Sequence, residues 1–125
     1  MNPLQMEEKN NKFPGRSIKD KKVNLPEKVL DALQIMGEKF DLEQIILFGS
    51  RARCTNMERS DIDLALYVKD TKQYFEILDY IEEIETLLMF DVVDMNSSAF
   101  SNDLYEEIKR DGVSIYMKKP KETKN

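Results

Sequence analysis

The sequence has no histidine, no tryptophan and a single cysteine, and no apolar run approaches the length that spans a bilayer. Each absence removes a class of chemistry. Without histidine there can be no Ser-His-Asp triad, no Cys-His pair and no imidazole-bound metal. A lone Cys54 rules out an internal disulfide and a cysteine-based zinc site. A proton acceptor here must be a carboxylate or, less readily, a Lys, Tyr or Cys side chain. Neither a Walker-type Gly-Lys-Ser/Thr nor a kinase catalytic loop is present. The N-terminal residues lack the apolar stretch of a secretory signal, so the expected compartment is the cytoplasm, where a single thiol stays reduced, and no membrane partner is expected.

What is present is charge, unevenly spread. The 125 residues carry a net charge of −5, with 34% charged and 41% hydrophobic residues. Residues 1–23 hold six Lys/Arg against three Asp/Glu, and residues 118–125 hold four Lys against one Glu, each end netting +3. The remaining body, residues 24–117, therefore carries −11. So acidic a body does not read as a nucleic-acid surface, which is normally basic. Acidity of this degree suits cation binding. The length suits one domain with one core. The expected organisation is a flexible N-terminal arm over residues 1–24, a folded domain over 25–117 and a flexible tail over 118–125.

The centre of the chain is LFGSRARCTNMERSDIDLALYV, residues 47–68. Two apolar runs of strand length flank a polar connection. In a strand, side chains at i and i+2 share a face, so Asp61 and Asp63 point the same way from backbone positions about 6.5 Å apart. Two like charges at the head of an apolar strand repel unless a cation neutralises them, and an oxygen-only ligand set suits Mg²⁺. At the end of the first run, Gly49 allows a sharp turn or a close backbone approach. Ser50 to Cys54 can open a short helix with free N–H groups and a hydroxyl facing an anion, while Arg51 and Arg53 add positive charge. A phosphate cradle beside a carboxylate pair describes a phosphoryl- or nucleotidyl-transfer site.

Around this centre the periodicity predicts an α/β (α+β) domain in the order helix, strand, strand, helix, strand, helix, strand. A first amphipathic helix should occupy residues 26–40, with Pro26 at its start and Val29, Leu30, Leu33, Met36 and Phe40 on its inner stripe. Strands follow at 44–49 and 61–68. A second helix, capped by Asp70 or Thr71, should run to about Leu88 with an acidic outer face from Glu76 to Glu85. A third strand covers 90–95. It carries Asp91 and Asp94, which have opposite parity, so only one can join Asp61 and Asp63, and parity alone does not choose. Ser101 or Asn102 should cap a last helix with Leu104, Tyr105 and Ile108 inward and Gly112 just past its end. Val113 to Met117 closes the sheet. The expected result is a small mixed sheet with helices mainly on one face and the carboxylates on the other.

The Gly49-Ser50 pair, the ten-residue spacing and Asp61-Ile62-Asp63, set between apolar strands, resemble the signature of the DNA polymerase β-type nucleotidyltransferase superfamily. The surroundings, LFGSRAR and SDIDLA, resemble its smallest members, the minimal nucleotidyltransferases (MNT) of bacteria and archaea. The resemblance covers residues 26–117. Cys54 departs from it, standing where the family's loop usually has glycine. The resemblance implies that Asp61, Asp63 and a third acidic residue before the apolar pair of the next strand, here Asp91, are catalytic and hold two Mg²⁺ ions. It also implies that Gly49 and Ser50, helped by Arg51 or Arg53, hold the β,γ-phosphates of ATP or another NTP.

Two function classes follow from it. The first is an adenylyltransferase that moves AMP to a hydroxyl, a tyrosine of a helical HEPN-type toxin being the expected acceptor, thereby acting as antitoxin; substrate-binding helical proteins are the other partner type of such domains. The second is a catalytically weak or inactive subunit that neutralises or completes its partner by binding alone. A small RNA-tailing enzyme is a further alternative, disfavoured by the −11 body.

Overall fold

The computed structural model describes residues 13–119. The chain forms α1 (Glu27–Lys39), β1 (Gln44–Phe48), α2 (Ser50–Arg53), β2 (Ile62–Leu66), α3 (Thr71–Glu82), β3 (Phe90–Asp94), α4 (Asn102–Asp111) and β4 (Val113–Met117). The four strands make one mixed sheet in the order β3-β2-β1-β4. β1 runs antiparallel to both β2 and β4, and β2 runs parallel to β3. Among the described residues no helix is long and apolar enough to cross a membrane.

Strand alternation divides the sheet into two faces. On one, Ile45, Leu47, Ile62, Leu64 and Leu66 pack against Val29, Leu33 and Met36 of α1 and Ile77 and Ile81 of α3. On the other, Ile46, Phe48 and Ala65 pack against Ile108 of α4. Helices thus lie mainly on one face, and α4 covers only part of the face that carries the carboxylates. All five residues of β1 are buried, as a central strand covered on both sides requires.

The helix ends follow local chemistry. The Asp70 side chain accepts from the Gln73 N–H and caps α3, and Ser101 accepts from the Leu104 N–H and caps α4. α3 stops at Glu82, short of the predicted Leu88. Its end meets Glu82, Glu83 and Glu85, with no basic residue in the last turn, so the carbonyl end of the helix faces like charge. Ile84 and Leu88 still reach the core from the irregular connection, whereas Leu87 is 98% exposed. Gly112 follows α4 in extended geometry, φ −64° and ψ 143°, so the left-handed cap expected of it is not used. A Cβ there would sit 2.9 Å from the Ile46 side chain and 3.1 Å from Pro14, and that crowding is the reason for glycine.

The predicted N-terminal arm is anchored over its second half. The Ser114 N–H donates to Arg16 O and the Ile18 N–H to Ser114 O, both at 2.9 Å, laying residues 16–18 along β4. Arg16 donates to the carbonyls of Lys109, Arg110 and Gly112, capping the end of α4 with a cation. Phe13 stacks on Tyr105 with centroids 5.0 Å apart. These are contacts across about a hundred residues, invisible to local patterning. Residues 1–12 of the arm and 120–125 of the tail lie outside the described residues. Within the tail, Lys118 pairs with Asp41 at 2.9 Å.

Candidate active site

The site is built on the β1–β2 hairpin and the neighbouring β3. β1 ends at Phe48, and the chain turns at Gly49 with φ 75° and ψ −159°, a conformation L side chains rarely adopt. The turn brings the Gly49 backbone onto Asp63: a Cβ at position 49 would overlap Asp63 Oδ2. Glycine is required twice over, by the torsion and by the carboxylate beside it. α2 starts at once. Its hydrogen bonds begin with the Ala52 and Arg53 N–H groups on Gly49 O, both at 3.1 Å. The N–H groups of Ser50 and Arg51, the first two of the helix, have no main-chain acceptor among the described residues. The half-buried Ser50 side chain stands at the same turn.

Asp63 pairs directly with Phe48 of β1 on one side and with Asp91 of β3 on the other. Asp61, two residues earlier, has the same parity, so Asp61, Asp63 and Asp91 belong to one face. Asp94 belongs to the opposite face. Its Oδ1 accepts from the Val68 N–H at 3.3 Å and the Asn96 N–H at 2.9 Å, which commits it to the turn after β3. Burial pushes the Asp63 carboxyl from its ordinary 3.8 up to about 6, with the charges of Asp91, Asp61 and Glu107 adding to the effect and Arg53 opposing it. Asp61 and Asp91 are exposed.

The donor chemistry fits a divalent cation: hard oxygens on one face, short of positive charge, with the central carboxyl reluctant to ionise alone. Among the described residues, however, no three carboxylates are already gathered close enough to hold a metal ion. Asp61 and Asp91, both exposed, would have to swing in around Asp63.

The two arginines part company. Arg51 is 2% exposed, and its guanidinium donates to three backbone carbonyls: Ser60 at 2.9 Å, Asn24 at 3.1 Å and Glu58 at 2.9 Å. Those bonds tie the 58–60 connection and residue 24 to α2 and take Arg51 away from the phosphate role suggested for it. Arg53 is exposed on the other side and pairs with Asp111 of α4 at 2.9 Å, close enough to Asp63 to act on its charge. The Asp111 carboxyl is held below its ordinary range by Arg110 first, against the effect of burial, with Arg53 assisting.

Cys54 ends α2 in the left-handed region, φ 62° and ψ 34°. The backbone thus does at Cys54 what glycine would do more easily. Glu107 and Asp111 were not singled out from the sequence. The available signal was helical spacing: 107 and 111 are four apart and continue the stripe of Leu104 and Ile108 toward the carboxylate face.

A model of the family described as polymerase beta, nucleotidyltransferase, matches residues 31–121. The chain belongs to that family. Among its relatives, "Putative protein adenylyltransferase MJ0128" of Methanocaldococcus jannaschii is 37% identical over 54 residues, covering 41% of this chain and 55% of the relative. "Putative protein adenylyltransferase MJ1215" of the same organism is 36% identical over 65 residues, covering 50% of this chain and 74% of the relative. The chain thus spans about half the length of the first of these curated relatives. A solved structure described as a toxin-antitoxin with AMP-PNP shares the nucleotidyltransferase fold with a TM-score of 0.56 at 21% identity, over 71% of this chain and 73% of that one.

Proposed function

We propose that this nucleotidyltransferase-family domain moves AMP from ATP to a hydroxyl on a partner protein, a tyrosine of a HEPN-type toxin being the favoured acceptor, and so acts as an antitoxin. The observation that carries the reading is one face of the sheet bearing Asp61, Asp63 and Asp91 beside the Gly49-Ser50 turn. Two relatives named as protein adenylyltransferases and a toxin-antitoxin structure with a nucleotide analogue support the choice of AMP and of a protein partner. The −11 body supports a protein hydroxyl over a nucleic-acid end, since it repels phosphates within a Debye length of about 8 Å.

In this reading the acceptor oxygen attacks the α-phosphorus of ATP, the bond to the bridging oxygen breaks, and pyrophosphate leaves. Asp91, exposed at the open side of the sheet, takes the proton of the acceptor hydroxyl. The Ser50 hydroxyl and the free N–H groups of Ser50 and Arg51 donate to the β- and γ-phosphate oxygens, and Arg53, steadied by Asp111, adds its charge there. Gly49 keeps the phosphate turn tight against Asp63. Asp61, Asp63 and Asp91 are the residues that would hold two Mg²⁺ ions, which when bound supply charge stabilisation for the attacking and leaving oxygens.

The test is incubation with labelled ATP, Mg²⁺ and either the neighbouring-gene product or total RNA. Label on a tyrosine of the protein, lost with Asp63→Asn, is the expected result. Label on RNA 3′ ends and never on the protein rejects the reading. A second reading, a subunit that acts by binding alone, is favoured by the ungathered carboxylates. It predicts partner neutralisation with no ATP consumed.

A further inference from the structure

β3 is an edge strand with an open outer side. Its pairing with β2 runs without a bulge from Ile62–Phe90 to Leu66–Asp94. The bonds at its two ends, Ile62 N–H to Met89 O and Met95 N–H to Leu66 O, fix the alternation. Asp91 and Val93 turn their main-chain groups to β2, whereas Phe90 and Val92 turn theirs outward, with no partner among the described residues. The strand carries no lysine, proline or bulge, and the charges it does carry, Asp91 and Asp94, are both negative.

A groove of about 500 Å³ runs beside this edge, walled by Leu78 and Ile81 of α3, Ile84 and Leu88 of the connection, and Phe90. Met89, 69% exposed, lines it, and two further exposed apolar residues are near in sequence: Leu87, 98% exposed, two residues before Met89, and Phe75, 58% exposed, one turn before Leu78 on α3. A groove with apolar walls and an exposed methionine beside an unpaired strand edge offers a contact surface. The charges around it have one sign. Glu82 lines the groove, Asp91 borders it at the strand edge with its side chain on the carboxylate face, and no Lys or Arg lines it. Glu83 and Glu85 continue the acidic rim past the end of α3, and the nearest cation on the helix is Lys72, in its first turn.

We propose that this groove and the outer edge of β3 bind a protein partner through an extended segment carrying lysine or arginine beside apolar side chains, added to the sheet as a fifth strand. An extended segment satisfies the outward groups of Phe90 and Val92, which a docked helix would leave unpaired. Side chains of an added strand alternate between the two faces. The apolar ones fill the groove on the α3 side while the basic ones meet Asp91 on the carboxylate face, and a basic residue at the end of the segment meets Glu82, Glu83 and Glu85. A nucleic acid would meet the same carboxylates as repulsion. Asp91 belongs both to this groove and to the carboxylate face, directly opposite Asp63, so a segment lying along β3 continues toward the site. Where transfer occurs as proposed above, this is the route by which the acceptor is presented. That clause rests on the transfer reading; the binding surface does not.

The test uses the full chain without Mg²⁺ or ATP. The probes are a peptide of about seven residues alternating lysine and isoleucine, its glutamate-isoleucine counterpart, and the lysine peptide N-methylated at alternate positions. The lysine peptide should slow amide exchange of Phe90 and Val92 by about tenfold at saturation, and its affinity should fall as ionic strength rises. The glutamate peptide should bind about tenfold more weakly, and the N-methylated one should give no protection. Met89→Lys and Leu87→Lys, at exposed positions, should each weaken the lysine peptide about fivefold. Equal binding of the two charge types, protection on another strand, or undiminished binding of the N-methylated peptide overturns the proposal. So does self-association that protects the same amides, or protection in the free chain that disappears when residues 1–12 are removed. A chain that transfers AMP but does not bind the peptide rejects the groove alone, and one that binds without transferring rejects the transfer reading alone.

Discussion

Asp63 and Asp91 stand directly opposite each other on neighbouring parallel strands, their carboxylates on one face of the sheet. Adjacent strands lie about 4.8 Å apart, so each charge is felt by the other. Asp94, three residues on, faces the other way and holds two backbone N–H groups. The two residues should therefore fail differently. Asp91→Ala should abolish AMP transfer and change stability by less than about 0.5 kcal/mol. Asp94→Ala should keep transfer and cost about 1–2 kcal/mol through the lost turn bonds. Urea melts and a labelled-ATP assay on both variants check this, and an inactive Asp94→Ala with a fully active Asp91→Ala would reverse the assignment.

Asp63 sets the pH response of the metal-free chain. Its carboxyl titrates near 6 in the folded protein and near 3.8 unfolded. A raised folded value means that the native state holds the proton more tightly. The stabilisation from this group is complete below about pH 3.8 and is lost as pH rises through about 6. Against a parallel Asp63→Asn series, the wild-type melting temperature should fall over that window while the variant's stays flatter. Mg²⁺ with ATP should recover the loss above pH 6 in wild type only.

Gly49→Ala should disable the site by displacement. The methyl group would clash with Asp63 Oδ2, and φ 75° is itself strained for alanine. We expect a loss of about 2–3 kcal/mol together with loss of transfer. Pairing it with Asp63→Gly, which removes the clashing carboxylate, should return part of the stability and none of the activity. Thermal melts of the single and double variants measure this coupling.

The two arginines of α2 should separate stability from substrate binding. Arg51→Met strands three carbonyls and should cost about 3 kcal/mol or more, with Arg51→Lys recovering little because lysine lacks the planar fork. Arg53→Met loses an exposed pair with Asp111 and should cost less than about 1 kcal/mol, while raising the KM for ATP about tenfold. Cys54→Gly relieves a left-handed residue and should add about 1 kcal/mol. Denaturant melts and ATP titrations read all three.

The strands and helices were legible because their apolar periods are clean: β1 is five apolar or buried residues in a row, and the inner stripe of α1 was read within one residue of its ends. Asp61 and Asp63 share a face by parity, which is a local property. The arginines could not be told apart. Arg51 and Arg53 are both basic residues of one short helix, and only the path of residues 24 and 58–60 around α2 buries one and leaves the other out. Asp91 and Asp94 were separable in parity but not in face, because choosing a face needs the register between β3 and β2. Residues 13–18 read as an arm because their partners, Ser114 and the end of α4, lie about a hundred residues away.

The alternation along β2 also governs what a misfolded copy can do. Ile62, Leu64 and Leu66 are buried on one side while Asp63 looks out on the other, between Phe48 and Asp91. A slip of one residue in the hairpin would drive the carboxylate into the core and turn the apolar side chains to water. Such a molecule would be insoluble before it was inactive. The chain therefore has little room for a soluble, wrongly paired form, and its soluble fraction would be molecules with the hairpin in register.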